Sequence, residues 1–178
     1  MKTFLIGGAR SGKSSLAARW ADERSKSVCC VVTATASDDE MEARIEAHRR
    51  ERPRHWRVRE EPLRLSAAVT EESRSGELLL IDCLTLWTAN CLWPPMQLSV
   101  EPQPDLPGWH TERGAFLESL RNASGEIIIV SNEVGASLVP ENAAARLFRD
   151  EQGRLNQLVA AACHSVFLVT AGLGLRLK

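Results

Sequence analysis

Apolar residues along this chain gather in short unbroken runs: TFLI at 3–6, SVCCVVTA at 27–34, ELLLIDC at 77–83, EIIIVSN at 126–132 and SVFLVTA at 165–171. Continuous runs, rather than alternating ones, predict strands covered on both faces. Between them lie segments with helical spacing, such as KSSLAARWADERS at 13–25 and ENAAARLFRDEQGRLNQLVAAAC at 141–163. Strands alternating with helices predict βαβ units, a mostly parallel sheet and a single domain over residues 1–178. The tail LGLRLK at 173–178 predicts a last short strand, with Gly172 and Gly174 turning the chain. Residues 93–109, WPPMQLSVEPQPDLPGW, break the pattern: they hold five of the eight prolines and no regular period. They predict a long loop, either a surface insertion or a substrate lid or subunit contact.

Composition adds limits. Apolar residues make up 44% and charged residues 25% of the chain, an ordinary balance for a globular domain. The net charge of −1 gives no global field to recruit nucleic acid or an anionic membrane. Arginine supplies 18 of the 22 basic residues, and a guanidinium fork suits phosphate recognition. The five cysteines, Cys29, Cys30, Cys83, Cys91 and Cys163, form no C-x-x-C pair. They predict buried free thiols in a reducing compartment rather than a disulfide framework or a zinc site. With no secretory leader pattern and no apolar stretch of membrane-spanning length, a cytoplasmic protein is expected.

The candidate chemistry begins where the first strand ends. From Gly7 to Ser14 the chain reads G-x-x-x-x-G-K-S, the phosphate-binding loop pattern, with a strand before it and an amphipathic helix after it. Backbone amides of such a loop, aided by the helix dipole, cradle a triphosphate. Lys13 would then bridge the β and γ phosphates, and the Ser14 hydroxyl would ligate Mg²⁺. The usual companion is an acidic residue ending a neighbouring strand, and LLLID ends in Asp82. Asp82 either holds Mg²⁺ or caps the helix starting LTLW. No asparagine precedes a lysine, so the N-K-x-D base-reading segment of a regulatory GTPase is missing. Small-molecule kinases, other triphosphate-using enzymes and a non-catalytic nucleotide-binding regulator remain.

Residues 33–56, TATASDDEMEARIEAHRRERPRHW, carry a second signal. Ser37 and Glu40 form a capping box, and the helix is expected from about Asp38 to Arg52, where Pro53 stops it. Met41, Ile45 and His48 share one face at i, i+4, i+7, and Arg49, Arg50 and Arg52 crowd its end. A neutral imidazole beside polyphosphate can attack phosphorus. A buried histidine or a helix-ending cation fits the spacing as well.

The runs IGGARSGKS, ATASDDEMEARIEAHRRERPRHW, LLLIDCLTLW and SNEVGASLVPENAAARLFRDEQGRLNQLVAAA together resemble the adenosylcobinamide kinase/adenosylcobinamide-phosphate guanylyltransferase family of cobalamin biosynthesis. The resemblance covers nearly the whole chain in order, apart from 93–124. It implies a RecA-like P-loop α/β fold of three layers, ATP or GTP with Mg²⁺, and a homotrimer. It implies two activities: phosphorylation of adenosylcobinamide, then GMP transfer from GTP to adenosylcobinamide-phosphate. In the family the guanylyl group passes through a histidine at the position of His48. Adjacent histidines can stand there, whereas this chain has Ala47 before His48. The implied nucleotide contacts are Gly7, Gly8, Ala9, Arg10, Ser11, Gly12, Lys13 and Ser14, then Thr33, Ala34 and Thr35. Arg49, Arg50, Glu51, Arg52, Glu60 and Asp82 complete them, with Ser14 and Asp82 at the metal. Glu133 in SNEVG stands where it could orient the corrinoid or reach Mg²⁺ through water. It could equally cap the next helix or pair with Arg146 or Arg149. The charges of FRDEQGRLNQ are expected on a salt-bridged helix surface.

Overall fold

The computed structural model describes residues 1–35, 39–73, 76–94 and 103–178, and in the helix over 39–51 the side chains of Glu40, Met41, Arg44, His48 and Glu51 fall outside that description. The elements run β1 (Lys2–Gly7), α1 (Lys13–Arg24), β2 (Val28–Val32), α2 (Asp39–Glu51), β3 (Arg57–Glu60), α3 (Leu65–Glu72) and β4 (Leu78–Asp82). There follow α4 (Leu84–Leu92), α5 (Leu106–Asn122), β5 (Ile127–Asn132), α6 (Ala143–Ala162), β6 (Ser165–Thr170) and β7 (Leu173–Arg176). All seven strands join one sheet in the order β3-β2-β4-β5-β1-β6-β7, parallel except for the β6–β7 pair. The five apolar runs are its five central strands, and β5 lies between the loop strand β1 and the Asp82 strand β4.

Alternation along each strand sorts the core into two layers. Phe4, Cys29, Val31, Leu79, Ile81, Ile127 and Ile129 pack with α3, α4, α5 and α6 on one face. Leu5, Val28, Cys30, Leu78, Leu80, Ile128 and Val130 pack with Leu16, Ala17 and Ala21 of α1 on the other. Because both faces are covered, neither set needs polar neighbours, and the runs read as continuous. Trp87 sits 5.2 Å from Trp109 and 4.9 Å from Phe116, centroid to centroid, joining α4 to α5.

Several expectations change. The region 93–109 is not loop throughout, since α5 begins at Leu106 with Asp105 accepting from the Gly108 amide at 3.0 Å; its residues 95–102 lie outside the described set. Gly174 sits within β7 rather than in a turn, packed near Leu16 and Trp20, and the turn is made by Ala171 (φ 49°) and Gly172 (φ 77°). The run FRDEQGRLNQ is only in part the expected salt-bridged surface: Asp150 and Arg154 are exposed and pair with Arg149 and Glu151. Glu151, Gln152 and Asn156 are buried. Burial alone would raise the Glu151 carboxyl, but the Trp109 indole N–H at 2.7 Å and the Arg154 and Arg113 guanidinium groups hold it below its usual range. The capping box expected from Ser37 and Glu40 lies outside the described residues, Ser37 altogether and Glu40 in its side chain; α2 starts at Asp39. The five cysteines are free, four of them buried, as expected.

Candidate active site

The parallel register brings the carboxyl ends of the strands to one edge. There Val32 pairs with Asp82 and Glu60, Asp82 with Val130, and Gly7 with Asn132 and Val169. The phosphate loop, Thr33–Thr35, Glu60 and Asp82, separated widely in sequence, therefore line this one edge.

The loop itself is built around two glycines that no other residue could replace without movement. At Gly7 a Cβ would stand 2.3 Å from the Val169 carbonyl oxygen. Gly12 has φ +89° and a Cβ there would meet the Gly172 Cα at 2.9 Å. The β6–β7 turn thus buttresses the loop, with the Gly172 amide donating to the Ser11 carbonyl at 2.8 Å. Sequence reasoning noted Gly172 only as a turn residue, because its partnership with the loop spans 160 positions.

α1 starts directly from Gly12 with no side-chain cap and no acidic residue in its first turn. Its first amides have no intrahelical acceptors, so they and the dipole are left for an anion. α5 and α6, by contrast, are capped by Asp105 and Asn142. The Ser11 hydroxyl is buried without a partner among the described residues. Lys13 is 8% exposed, and its ammonium donates to the Gly8 carbonyl at 3.0 Å. Burial lowers its pKa, while Cys83 and Asp82 pull the other way.

Asp82 accepts from the Ser14 hydroxyl at 3.2 Å through Oδ1, and its Oδ2 lies 3.8 Å from Arg52 Nη2. It does not cap α4: the N-cap is Cys83, which makes no side-chain cap bond. A hydroxyl and a carboxylate facing each other are the hard oxygen donors Mg²⁺ takes, so the pair fits a magnesium site. A second grouping, Cys29 with Glu72 and Glu77, has its ligand atoms within 4.8 Å of one another. Arg57 bonds both carboxylates, Arg59 bonds Glu72 as well, and burial pushes the Cys29 thiol up to about 11, so both carboxylates already have cationic partners.

Other expected contact residues are placed as follows. Thr33 is fully buried. Its hydroxyl donates to the Cys83 carbonyl at 2.7 Å, and its own carbonyl accepts from Asn90 Nδ2 at 2.8 Å. Ala34 and Thr35 are half-buried just beyond β2. Arg49 pairs with Glu60 at 2.6 Å and Arg50 with Glu46 at 3.2 Å. Through Arg49 in its last turn and Arg52 just past it, α2 is thus tied to the ends of β3 and β4. His48 lies in that last stretch of α2, its side chain outside the described residues. Glu133 accepts from the amides of Gly135 and Ala136, while Arg146 donates to the Pro140 and Glu141 carbonyls and Arg149 pairs with Asp150 at 3.5 Å, so neither suggested arginine is its partner.

A mostly parallel sheet with a glycine-rich anion loop between its first strand and first helix defines a P-loop nucleotide-binding protein. The family model described as "Cobinamide kinase / cobinamide phosphate guanyltransferase" matches residues 3–177. The chain belongs to that family and is an enzyme of cobalamin biosynthesis. It is similar to the bifunctional adenosylcobalamin biosynthesis protein CobP of Pseudomonas aeruginosa, 47% identical over all of this chain and 98% of that protein. It is also similar to CobU of Escherichia coli, 36% identical over the full length of both, and to CobU of Salmonella typhimurium at 35%. A solved structure described as the RadB recombinase aligns with TM-score 0.48 and 13% identity over 94% of this chain and 73% of that one.

Proposed function

We propose that this enzyme phosphorylates the aminopropanol hydroxyl of adenosylcobinamide with ATP or GTP, then transfers GMP from GTP to the product through His48, giving adenosylcobinamide-GDP. The observation that carries this reading is the carboxyl-edge assembly. An uncapped helix start, Lys13, and the Ser14–Asp82 pair stand beside the end of α2, the helix that bears His48.

In the first step the acceptor hydroxyl attacks the γ phosphorus and the nucleoside diphosphate leaves. Lys13 and the loop amides are preorganised donors for the charge that moves onto the β and γ oxygens. Mg²⁺, held by Ser14 and Asp82, would neutralise β and γ oxygens when bound. In the second step a His48 ring nitrogen attacks the α phosphorus of GTP and pyrophosphate departs from the same loop. The phosphate of adenosylcobinamide-phosphate then attacks the phosphoramidate, and the imidazole is released. Covalent catalysis lets two bulky substrates use the site in turn. Arg49, Arg50 and Arg52 supply cationic surroundings for the anions close to that histidine. Glu51 and Glu60, with Thr33–Thr35, belong to the nucleotide contacts in this reading, and one cytoplasmic domain in a homotrimer is its setting.

The test uses Mg²⁺ and GTP labelled at the α phosphorus. Label should remain on the denatured protein, acid-labile and base-stable, and His48→Ala should abolish it while γ-phosphoryl transfer to adenosylcobinamide survives within about tenfold. Absence of label from active, GTP-binding wild type would remove the transferase step and leave a P-loop kinase.

A further inference from the structure

The motif SNEVG is not absorbed by the two steps above, and the structure gives its asparagine a defined place. β5 runs between β1 and β4. Its Val130 pairs with Asp82, so Ser131 and Asn132 extend past the end of β4, and Asn132 pairs with Gly7 at the start of the loop. Side chains alternate along a strand. Ile127 and Ile129 face the α6 layer, and Ser131 follows them, its hydroxyl donating to Asn156 at 2.8 Å. Ile128 and Val130 face the α1 layer, so Asn132 follows them to that side. Leu78 and Leu80 place Asp82 on the same side, and its bond to Ser14 of α1 agrees. Asn132 thus stands beside Gly7 and two residues beyond the level of Asp82, on the face where the loop and the start of α1 lie.

The backbone at this position is clamped from both flanks. Beyond the end of β4 the Asn132 amide donates to Thr85 Oγ1 of α4 at 2.8 Å. Its carbonyl accepts from the buried Asn156 of α6 at 3.0 Å. Asn156 is fixed in turn by Ser131 and by Gln152, whose Nε2 donates to it at 2.9 Å. The Glu133 amide closes onto the Gly7 carbonyl at 2.9 Å. These bonds fix the backbone of a residue whose half-buried carboxamide has no hydrogen-bond partner among the described residues.

Resting on the kinase reading above, we infer that Asn132 is a catalytic residue of the phosphorylation step, donating from Nδ2 to a terminal phosphoryl oxygen of the bound triphosphate. The face it shares with Asp82 marks the β/γ end of the site, because the metal carboxylate and Lys13 serve those two phosphates. In the step, the acceptor hydroxyl oxygen bonds to the γ phosphorus and the bond from that phosphorus to the β,γ-bridging oxygen breaks. Its electron pair leaves on the nucleoside diphosphate, and the hydroxyl proton passes to water. A donor carried on so fixed a backbone would stabilise the charge shared among the oxygens of the moving group. Guanylyl transfer breaks a bond at the α phosphorus, farther from Asn132, and depends on it less.

The experiment compares wild type, Asn132→Ala and the isosteric Asn132→Asp in two assays on the same preparations. One follows γ-label from the nucleotide into adenosylcobinamide; the other follows α-label from GTP onto the protein. Both variants should lose about 100-fold in the first, as removal of one preorganised donor does, and less than about fivefold in the second. The second assay also reports that the fold and the loop are intact. Kinase rates within about threefold of wild type, or parallel losses in both assays for both variants, would overturn the inference. A wild-type protein without either activity would instead overturn the function from which it starts.

Discussion

Gly12 shows how much of this site rests on single positions. Its left-handed backbone costs an L-residue roughly 1–2 kcal/mol, and the Cα of Gly172 stands 2.9 Å from where a Cβ would be. The neighbour is backbone, so it cannot swing aside as a long side chain would. Gly12→Ala should therefore shift the loop as well as strain it. The expected outcome is at least a tenfold rise in the Kd for GTP by calorimetry, with the far-ultraviolet spectrum unchanged. The motif residues were readable because glycine and lysine at these fixed offsets serve one local purpose, a backbone turn that wraps an anion. Asn132 was readable only as a residue at a strand end; its side was decided by the alternation of β5 against two layers of helices. Thr85 and Asn156 gave no local signal and Gly172 only that of a turn, since each acts on a partner far away in the chain.

Among elements, the central strands were the most legible, and those that escaped prediction share a cause. β3 reads RVRE, three of its four residues charged, and its side chains are mostly exposed. It is held at the sheet edge by pairing with β2 and by ion pairs rather than by a core of its own. Arg57 bonds Glu72 of α3 and Glu77 before β4, and Arg59 pairs with Glu71 at 2.5 Å and Glu72 at 3.0 Å. The Arg57 hydrogen bond holds the Glu72 carboxyl at about 2, below its usual 4.5. A carboxyl whose pKa is depressed by folding adds stability that is complete above its unfolded value and lost as pH falls through the folded one. Stability should therefore drop between pH 4.5 and about 2. Urea unfolding across that range should show a shallower fall in Glu72→Gln, and an identical slope would contradict the assignment. α5 escaped for another reason: its first residues, LPG, look like loop, and only the Asp105 cap and the burial of Trp109 against Glu151 make them a helix.

At the scale of the whole molecule, the chain resembles its curated relatives over its full length, and the homotrimer expected from that resemblance is directly measurable. Light scattering on the purified protein should give three chains per particle; a monomer would withdraw that setting without touching the chemistry. Among the described residues no helix is long and apolar enough to cross a membrane. The sequence by itself determined the class: continuous apolar runs demand a sheet buried on both faces, and G-x-x-x-x-G-K-S demands an anion at a helix start. Both are local properties, set by backbone geometry and periodicity within a few residues. Tertiary structure alone decided strand order, and with it which residues become neighbours. It put β5 between β1 and β4, set Asn132 beside Gly7 and past the level of Asp82, tied the end of α2 to Asp82 through Arg52, and turned part of a charged-looking stretch of α6 into a buried polar support. None of these follows from spacing, because hydrogen bonding across a sheet joins positions whose separation in the chain carries no information about their contact.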